Sequence, residues 1–252
     1  MNLRARAFDA LIERDPERKC TLVHALTGAS GDLAASGFDW TQVPGRPQRP
    51  VLVGPREVPR RGLGTVEGRC ALLHAVAHIE FNAINLALDA VCRFDGLPPA
   101  FHADWISVAE DEARHFEMLQ HRLRRMGRAY GDFPAHNGLW EAAEKTAHDP
   151  LLRMALVPRV LEARGLDVTP SIIRRLRDVG DTDSIAVLEV ILREEVRHVA
   201  IGTHWFRHLC AQRGLEPEPT FRRLLQEHGV RLHPPFNRPA RLDAGFSDAE
   251  LV

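Results

Sequence analysis

Apolar residues recur at intervals of three and four positions along most of this 252-residue chain, which is the pattern of amphipathic α-helices. Four long stretches carry the pattern, at about residues 65–94, 99–126, 138–165 and 183–213, and Pro150 and Pro158 are expected to interrupt the third. Helix-stop signals follow the first, second and fourth stretches, at Asp95-Gly96, Gly127 and Gly214. No stretch alternates between apolar and polar residues for long, so we predict an all-α protein without a sheet.

The segments around these stretches divide the chain into predicted domains. Residues 2 to about 28 are predicted to form one amphipathic helix, and five prolines within 43–64 favour an extended arm. A short helix at 170–179 is expected to link the third and fourth long helices, and the proline-rich C-terminal tail is expected to be irregular. We predict a helix and arm at 1–64, a bundle at 65–214 and a C-terminal extension at 215–252.

The second and fourth long helices contain the same short motif. One carries Asp111-Glu112-Ala113-Arg114-His115 and the other Glu194-Glu195-Val196-Arg197-His198, each an acid followed by Glu-x-Arg-His. Glu-x-x-His places a carboxylate and an imidazole on one helical face, where both can bind one metal ion. In bundles with di-iron or di-manganese carboxylate sites, two such motifs are completed by one Glu from each of the other two helices.

Glu80 and Glu162 are the candidates for those two remaining ligands. Glu80 lies in an otherwise apolar helical stripe, where a carboxylate is costly to bury unless it is paired, neutralised or bound to metal. Glu80 and Glu112 are 32 residues apart, and Glu162 and Glu195 are 33 residues apart. Each pair is therefore centred on the turn between its helices, and all four carboxylates are expected in one layer of an antiparallel four-helix bundle.

The sequence thus predicts a site for two metal ions with oxygen and nitrogen ligands. Iron suits these ligands, and manganese or a mixed manganese–iron pair are the alternatives. Glu112 and Glu195 are the residues we expect to act in catalysis. Two acids four residues before the histidines are expected to accept the second ring N–H, and two arginines to balance those acids. The predicted metal ligands are Glu80, Glu112, His115, Glu162, Glu195 and His198, and the supporting residues are Asp111, Arg114, Glu194 and Arg197.

Simpler interpretations compete with this one. The glutamates could form surface ion pairs with the neighbouring arginines, although this leaves their apolar neighbours unexplained. His74 and His78 also have a spacing that suits metal binding, but they lie off the stripe that contains Glu80, and a structural role is favoured. The small residues Ala77, Ala83, Ala109 and Gly202 are expected to leave room for oxygen near the site.

Composition limits the partners rather than naming one. Lys and Arg number 33 against 34 Asp and Glu, so the formal charge of −1 gives no broad attraction to nucleic acid or to an anionic membrane. No run of about 18 consecutive apolar residues predicts a membrane span. The four cysteines form no Cys-x-x-Cys pair, which fits free thiols in a reducing cytoplasm, the predicted location.

The motifs resemble those of the ferritin-like superfamily of di-iron carboxylate proteins. The string at 111–115 is similar to the motif of bacterial di-iron monooxygenases. The segments at 78–80, 111–115, 156–165 and 194–198 resemble more closely an uncharacterised bacterial family with a ferritin-like domain of unknown function. A more distant similarity is to the tRNA hydroxylase that oxidises an isopentenyl adenosine. The likeness covers about residues 60–210.

The resemblance implies oxygen activation by a reduced di-iron pair, with hydroxylation or desaturation of a small or nucleoside-like substrate and an electron donor as partner. An iron-binding or ferroxidase protein without organic substrate, a di-manganese enzyme that handles peroxide, and an interaction protein with a vestigial site remain alternatives. A ribonucleotide reductase radical subunit is disfavoured, because the single tyrosine, Tyr130, is 15 residues beyond His115. In a continuous helix that separation is about 20 Å.

Overall fold

The computed structural model describes residues 2–28, 31–33, 37–59 and 61–251. Within these ranges the regular elements are helices, and β pairing is limited to an isolated bridge between Leu52 and Ala135. The all-α prediction is therefore confirmed. The chain divides into two compact units, residues 1–140 and 141–252, with the boundary inside the short helix Gly138–Lys145. The predicted division at 64 and 214 stays a prediction.

The first unit is built on two long helices, α3 (Val66–Arg93) and α4 (Pro99–Arg125), which pack along each other. Two shorter helices, α1 (Leu3–Ile12) and α2 (Pro16–His24), lie against them, α1 on α3 and α2 on α4. The single helix predicted for residues 2–28 is therefore wrong. Asp15 accepts a hydrogen bond from the backbone N–H of Arg18 and Pro16 follows, a pairing that starts a new helix.

The ends of α3 and α4 follow the sequence signals. Thr65 caps α3 by accepting a hydrogen bond from the Gly68 N–H at 3.0 Å. Beyond α4, Gly127 has a φ of 75°, a left-handed conformation that glycine adopts without strain. By length and composition α3 is apolar enough to cross a membrane, but 72% of its most apolar window is buried inside the protein. That burial is typical of the core helix of a folded domain.

A 3₁₀ turn at Trp40–Gln42 precedes the segment at 43–64, whose described residues form no helix and include turns as well as irregular chain, in agreement with its prolines. The segment pairs with the chain that leaves α4: the Val53 N–H donates to the Ala135 carbonyl at 2.8 Å, and the Ala135 N–H donates to the Val51 carbonyl at 3.0 Å. The arm is thus fastened to the first unit.

The second unit contains α8 (Thr182–Gln212) and the elements that pack around it. Its helices do not follow the predicted boundaries, which placed one interrupted helix at 138–165 and a linker at 170–179. The elements are α5 (Gly138–Lys145, at the unit boundary), α6 (Pro150–Leu156), a π-helix (Val157–Glu162), α7 (Ala163–Asp178), α8, α9 (Pro217–Glu227), α10 (Arg238–Asp243) and a 3₁₀ turn (Asp248–Glu250).

Proline explains most of these differences. Pro150 stands at the first position of α6 behind the capping residue Asp149, so it starts a helix instead of breaking one. Pro158 has no N–H to donate, and the chain around it widens into the π-helix rather than stopping. Pro170 lies inside α7, which continues to Asp178. The C-terminal tail at 233–251, predicted to be irregular, contains α10 and the last 3₁₀ turn.

Gly202 of α8 lies against Pro158 of the π-helix. A Cβ added at Gly202 would lie 2.3 Å from the Pro158 Cβ and 2.4 Å from its Cγ. The expectation that Gly202 leaves room for oxygen is therefore wrong, because the proline ring fills that space.

Candidate metal centre

Three of the predicted ligands meet in the core of the first unit. Glu80 of α3, Glu112 of α4 and His115 of α4 each offer a ligand atom, and these atoms lie within 4.8 Å of one another. His115 Nδ1 is 3.2 Å from Glu80 Oε2 and 3.5 Å from Glu112 Oε2. Their exposed side-chain fractions are 6%, 1% and 0% respectively. Two carboxylates and an imidazole, shielded from water at this spacing, could hold a metal ion.

The electrostatics of this cluster call for a cation. Burial alone would lower the pKa of the His115 imidazolium, but hydrogen bonds from the ring to Glu112 and Glu80 outweigh burial and raise the pKa to about 11. The protonated ring then balances part of the negative charge of the two carboxylates. A divalent ion would supply that balance more directly, with His115 deprotonated as a ligand.

Apolar packing fixes these side chains. The faces of α3 and α4 around the cluster are buried almost completely, which leaves little freedom for the helices to rotate. Glu80 as a whole residue is only 4% exposed, in agreement with its place in the apolar stripe. The buried neighbours on those faces are Leu73, Ala77, Ile84, Trp105, Ala109 and Phe116.

The remaining predicted ligands belong to the second unit. His198 of α8 is fully buried, and its Nδ1 lies 3.4 Å from Glu195 Oε1. The Glu195 side chain is 12% exposed. Glu162 is half-buried and ends the π-helix, which is an uncommon element that often marks functional sites. The six-ligand site therefore stays a prediction, with three of its members gathered in the first unit.

The acids and arginines that flank the motifs engage one another. Asp111 Oδ1 accepts a hydrogen bond from Arg114 Nη2 at 2.7 Å, as expected for an arginine that balances the acid. Glu194 Oε1 lies 3.8 Å from Arg193 Nη2. The expected bonds from Asp111 and Glu194 to the histidines, and the balancing role of Arg197, stay predictions.

Tyr130 lies closer to the cluster than the sequence indicates. The helical count assumes that α4 continues, but α4 ends at Arg125 and the chain turns back. The Tyr130 ring packs 5.6 Å from the Phe81 ring and 5.0 Å from the Phe116 ring, and these residues adjoin Glu80 and His115 in the chain. The estimate of about 20 Å by helical rise is thus wrong as a guide to its position.

His74 and His78 hold Tyr130 in this place. The Tyr130 hydroxyl lies 2.8 Å from His78 Nδ1, and the Gly131 N–H donates to His74 Nε2 at 2.9 Å. Burial lowers the pKa of both imidazoles to about 4 and raises the pKa of the Tyr130 phenol. Both histidines therefore have the structural role favoured by the sequence.

Comparison with known proteins places the chain in a family. The family model described as "Protein of unknown function (DUF455)" matches residues 12–252. The chain belongs to this family. A relative in Haemophilus influenzae, described as an uncharacterized protein, is 47% identical over 215 residues, which is 81% of this chain and 74% of the relative. No solved structure matches the chain. The resemblance to an uncharacterised family is thus confirmed, whereas its ferritin-like part remains a prediction.

Proposed function

We propose that this protein is a non-haem di-iron oxidoreductase built on a ferritin-like four-helix bundle. The observation that carries the proposal is the buried group of Glu80, Glu112 and His115. Glu112 and His115 come from one copy of a motif that the chain repeats at Glu195 and His198. A buried group of this composition is costly unless its charge is compensated. Glu80, Glu112, His115, Glu162, Glu195 and His198 would hold two cations, which would supply that compensation.

The proposed bundle pairs α3 with α4 and the helix that carries Glu162 with α8. The support is the packing of α3 on α4 and of α7 and the π-helix on α8, together with the matched 32- and 33-residue spacings. The convergence of all four carboxylates in one layer rests on those spacings. A reduced iron pair supplies the electrons for activation of O2, which hydroxylation or desaturation of an organic substrate requires.

The residues of this chain have defined tasks in that proposal. Glu80, Glu112 and His115 bind metal in a water-poor core, since none of these side chains is more than 6% exposed. His115 gives up its proton when it becomes a ligand, so metal binding releases a proton at that ring. The substrate is proposed to be small or nucleoside-like, with an electron donor to reduce the metals.

The test is anaerobic loading with ferrous iron, followed by exposure to O2. We expect two irons per chain and O2 consumption well above that of a Glu112→Ala variant treated in the same way. Equal O2 consumption by the two proteins would contradict an oxidoreductase. Glu117→Ala, an exposed glutamate on the same helix, is the matched control and should behave like the wild type.

A di-manganese enzyme that handles peroxide and an iron-storing or ferroxidase protein use the same donor set. Metal analysis of protein from cells grown with balanced iron and manganese distinguishes the di-manganese enzyme, which would contain manganese, from the proposed di-iron protein. O2 consumption that never exceeds the amount the supplied ferrous iron can reduce, even with an organic substrate and an electron donor added, would favour the iron-storing or ferroxidase protein.

A further inference from the structure

The last part of the chain grips the segment that carries Glu162. We call residues 233–250 the C-terminal clamp. It contacts α8 and α9 through Arg207 and Arg222, and a further group of its contacts falls on residues 159–167, the end of the π-helix and the first turn of α7. The attachments lie on both sides of Glu162. They are Glu250 to Arg159, Arg241 to the Ala163 carbonyl and to Asp167, Asn237 to the Leu166 carbonyl and to Asp167, and the His233 carbonyl to Arg164.

Arg159 makes the attachment on the N-terminal side. Its Nη2 donates to Glu250 Oε1 at 2.6 Å, and both side chains are buried, at 1% and 2% exposure. The guanidinium carbon lies 4.0 Å from the centre of the Phe221 ring and 4.6 Å from that of Phe246, a clamp residue. Aromatic faces attract a cation at these distances. The Arg159 side chain is therefore enclosed by α9 and the clamp.

Arg241 makes the attachment on the C-terminal side. Its Nε and Nη2 bond the two carboxylate oxygens of Asp167 at 3.0 and 2.7 Å, in a two-pronged pair whose members are 2% and 1% exposed. Nη2 also donates to the Ala163 carbonyl at 3.3 Å, directly after Glu162. The Asn237 side chain adds a bond to the Leu166 carbonyl at 3.1 Å. The backbone is thus fixed next to Glu162 as well as beyond it.

Such an arrangement is an expensive way to gain stability. Buried ion pairs often contribute less than apolar residues of the same shape, because both charges must lose their water. What they provide is a unique geometry, since each two-pronged or enclosed contact has one satisfactory arrangement. π-helices are rare and occur mostly as short segments, frequently at functional sites, so contacts that hold this one bear on the side chains it carries.

We propose that the C-terminal clamp positions Glu162 for metal binding, with Arg159, Asp167, Arg241 and Glu250 as positioning residues. This inference rests on the proposed function, because it takes Glu162 as a metal ligand. The clamp residues do not touch the metals; they hold the backbone from which the Glu162 carboxylate projects. Outer residues of this kind commonly change metal affinity by about 10–100-fold.

The test is a double-mutant cycle between Glu250 and Glu162 with Co²⁺ as the probe. Co²⁺ binding to the full chain is followed by its visible absorption, which also reports the coordination geometry. We expect Glu250→Gln to weaken one of two Co²⁺ sites about 10-fold or more and to alter its spectrum. The same substitution made in a Glu162→Gln protein should have little further effect, because the ligand that it positions is gone.

Asp248→Asn is the matched control. Asp248 belongs to the clamp but pairs with Arg238 inside it, at 77% exposure, so this variant should bind Co²⁺ like the wild type. Asp167→Asn disrupts the attachment on the C-terminal side of Glu162 and should reproduce the effect of Glu250→Gln. It replaces Glu250→Gln in the test if that variant does not fold.

The possible outcomes separate the two proposals. A wild-type chain that binds no Co²⁺ contradicts the dimetal function, and the clamp proposal with it. Two Co²⁺ sites that are unchanged by Glu250→Gln and Asp167→Asn overturn the clamp proposal alone. It is also overturned if Glu250→Gln weakens binding as much in the Glu162→Gln protein as in the wild type, since the clamp would then act on stability and not through Glu162.

Discussion

The two copies of the Glu-x-x-His motif are supported by different means. In the first unit Glu112 and His115 lie between two uninterrupted helices, α3 and α4, and the Glu112 side chain is 1% exposed. In the second unit Glu195 is 12% exposed, and the additional carboxylate, Glu162, ends a π-helix held by the C-terminal clamp. Identical motifs therefore predict the same ligands, but they do not predict how firmly the chain around each motif is held.

The difference arises because one motif is held by local helix packing and the other by contacts between residues far apart in the chain. In the proposed site we call Glu80, Glu112 and His115 the first half-site, and Glu162, Glu195 and His198 the second half-site. The first half-site is fixed by apolar packing of two long helices, which form from local signals and bury their shared face. The second depends on contacts between residues about 70 to 90 positions apart, as between Asp167 and Arg241 or Arg159 and Glu250. We infer that the first half-site keeps its geometry without metal, whereas the second is the half that sequence changes in the tail can adjust.

The largest expected effect comes from breaking the clamp in the second unit. Asp167→Ala leaves the buried Arg241 guanidinium without its carboxylate, and loss of one partner of a buried pair costs about 3–5 kcal/mol. The measurement is chemical denaturation of the metal-free protein. Glu227→Ala removes an exposed partner of Arg223 in the same unit and should cost less than about 1 kcal/mol. Equal losses for the two variants would contradict the distinction between clamp and surface.

The pH dependence of the unfolding free energy tests how much buried His74 contributes to the stability of the first unit. The pKa of His74 is lowered to about 4 by burial, so between pH 6.5 and 4 the unfolded chain binds more protons at this residue than the folded protein does. Its contribution to stability is present above pH 6.5 and is lost as the pH falls through that window. Because a tenfold change in proton affinity corresponds to about 1.4 kcal/mol, lowering the pKa from 6.5 to about 4 makes this loss at most about 3.4 kcal/mol.

His74→Gln keeps an acceptor for the Gly131 N–H without a titrating ring. We expect it to flatten the fall in unfolding free energy between pH 6.5 and 4, measured by denaturation at a series of pH values. His121→Gln, an exposed histidine on α4, should keep the wild-type slope. If both variants retain that slope, His74 is not part of what acid disrupts.

The sequence predicts the first unit better than the second for the same physical reason. Stop and cap signals such as Thr65 and Gly127 act within one helical turn, and α3 and α4 begin and end close to their predicted limits. The stripe around Glu80 is also local, and it correctly indicates a buried carboxylate. Local periodicity therefore finds both the helices and the cluster that they carry.

The errors arise where long-range packing decides the outcome. Pro158 was expected to interrupt a helix, but a widened helix can form because Gly202 of α8 accepts the proline ring. Tyr130 was placed by helical rise, whereas the chain reverses after α4 and the His78 ring meets its hydroxyl. The Pro158 signal itself was visible in the sequence; its partner more than 40 residues away was not.

Substituting one proposed histidine ligand in each half-site compares how much the two half-sites contribute to metal binding. His115→Ala and His198→Ala should each weaken one of two metal sites by at least about 100-fold, since loss of a supporting residue alone costs about 10–100-fold. Metal stoichiometry after dialysis is the measurement. His204→Ala, an exposed histidine on α8, is the control. A protein that keeps two tightly bound ions without His115 would contradict the proposed ligand set.

The smallest expected effect tests the contact between the π-helix and α8. Gly202→Ala puts a methyl group 2.3 Å from the Pro158 Cβ, so the π-helix must shift, and the expected loss of unfolding free energy is about 1–3 kcal/mol. Gly165→Ala is the matched control on α7, where nothing lies within 4 Å of the added carbon. In that open position alanine favours the helix over glycine by about 0.5–1 kcal/mol, so the two substitutions should change stability in opposite directions. An equal rise in unfolding free energy in both variants would mean that the Pro158 ring does not pack against Gly202. The π-helix that carries Glu162 would then lack this support from α8.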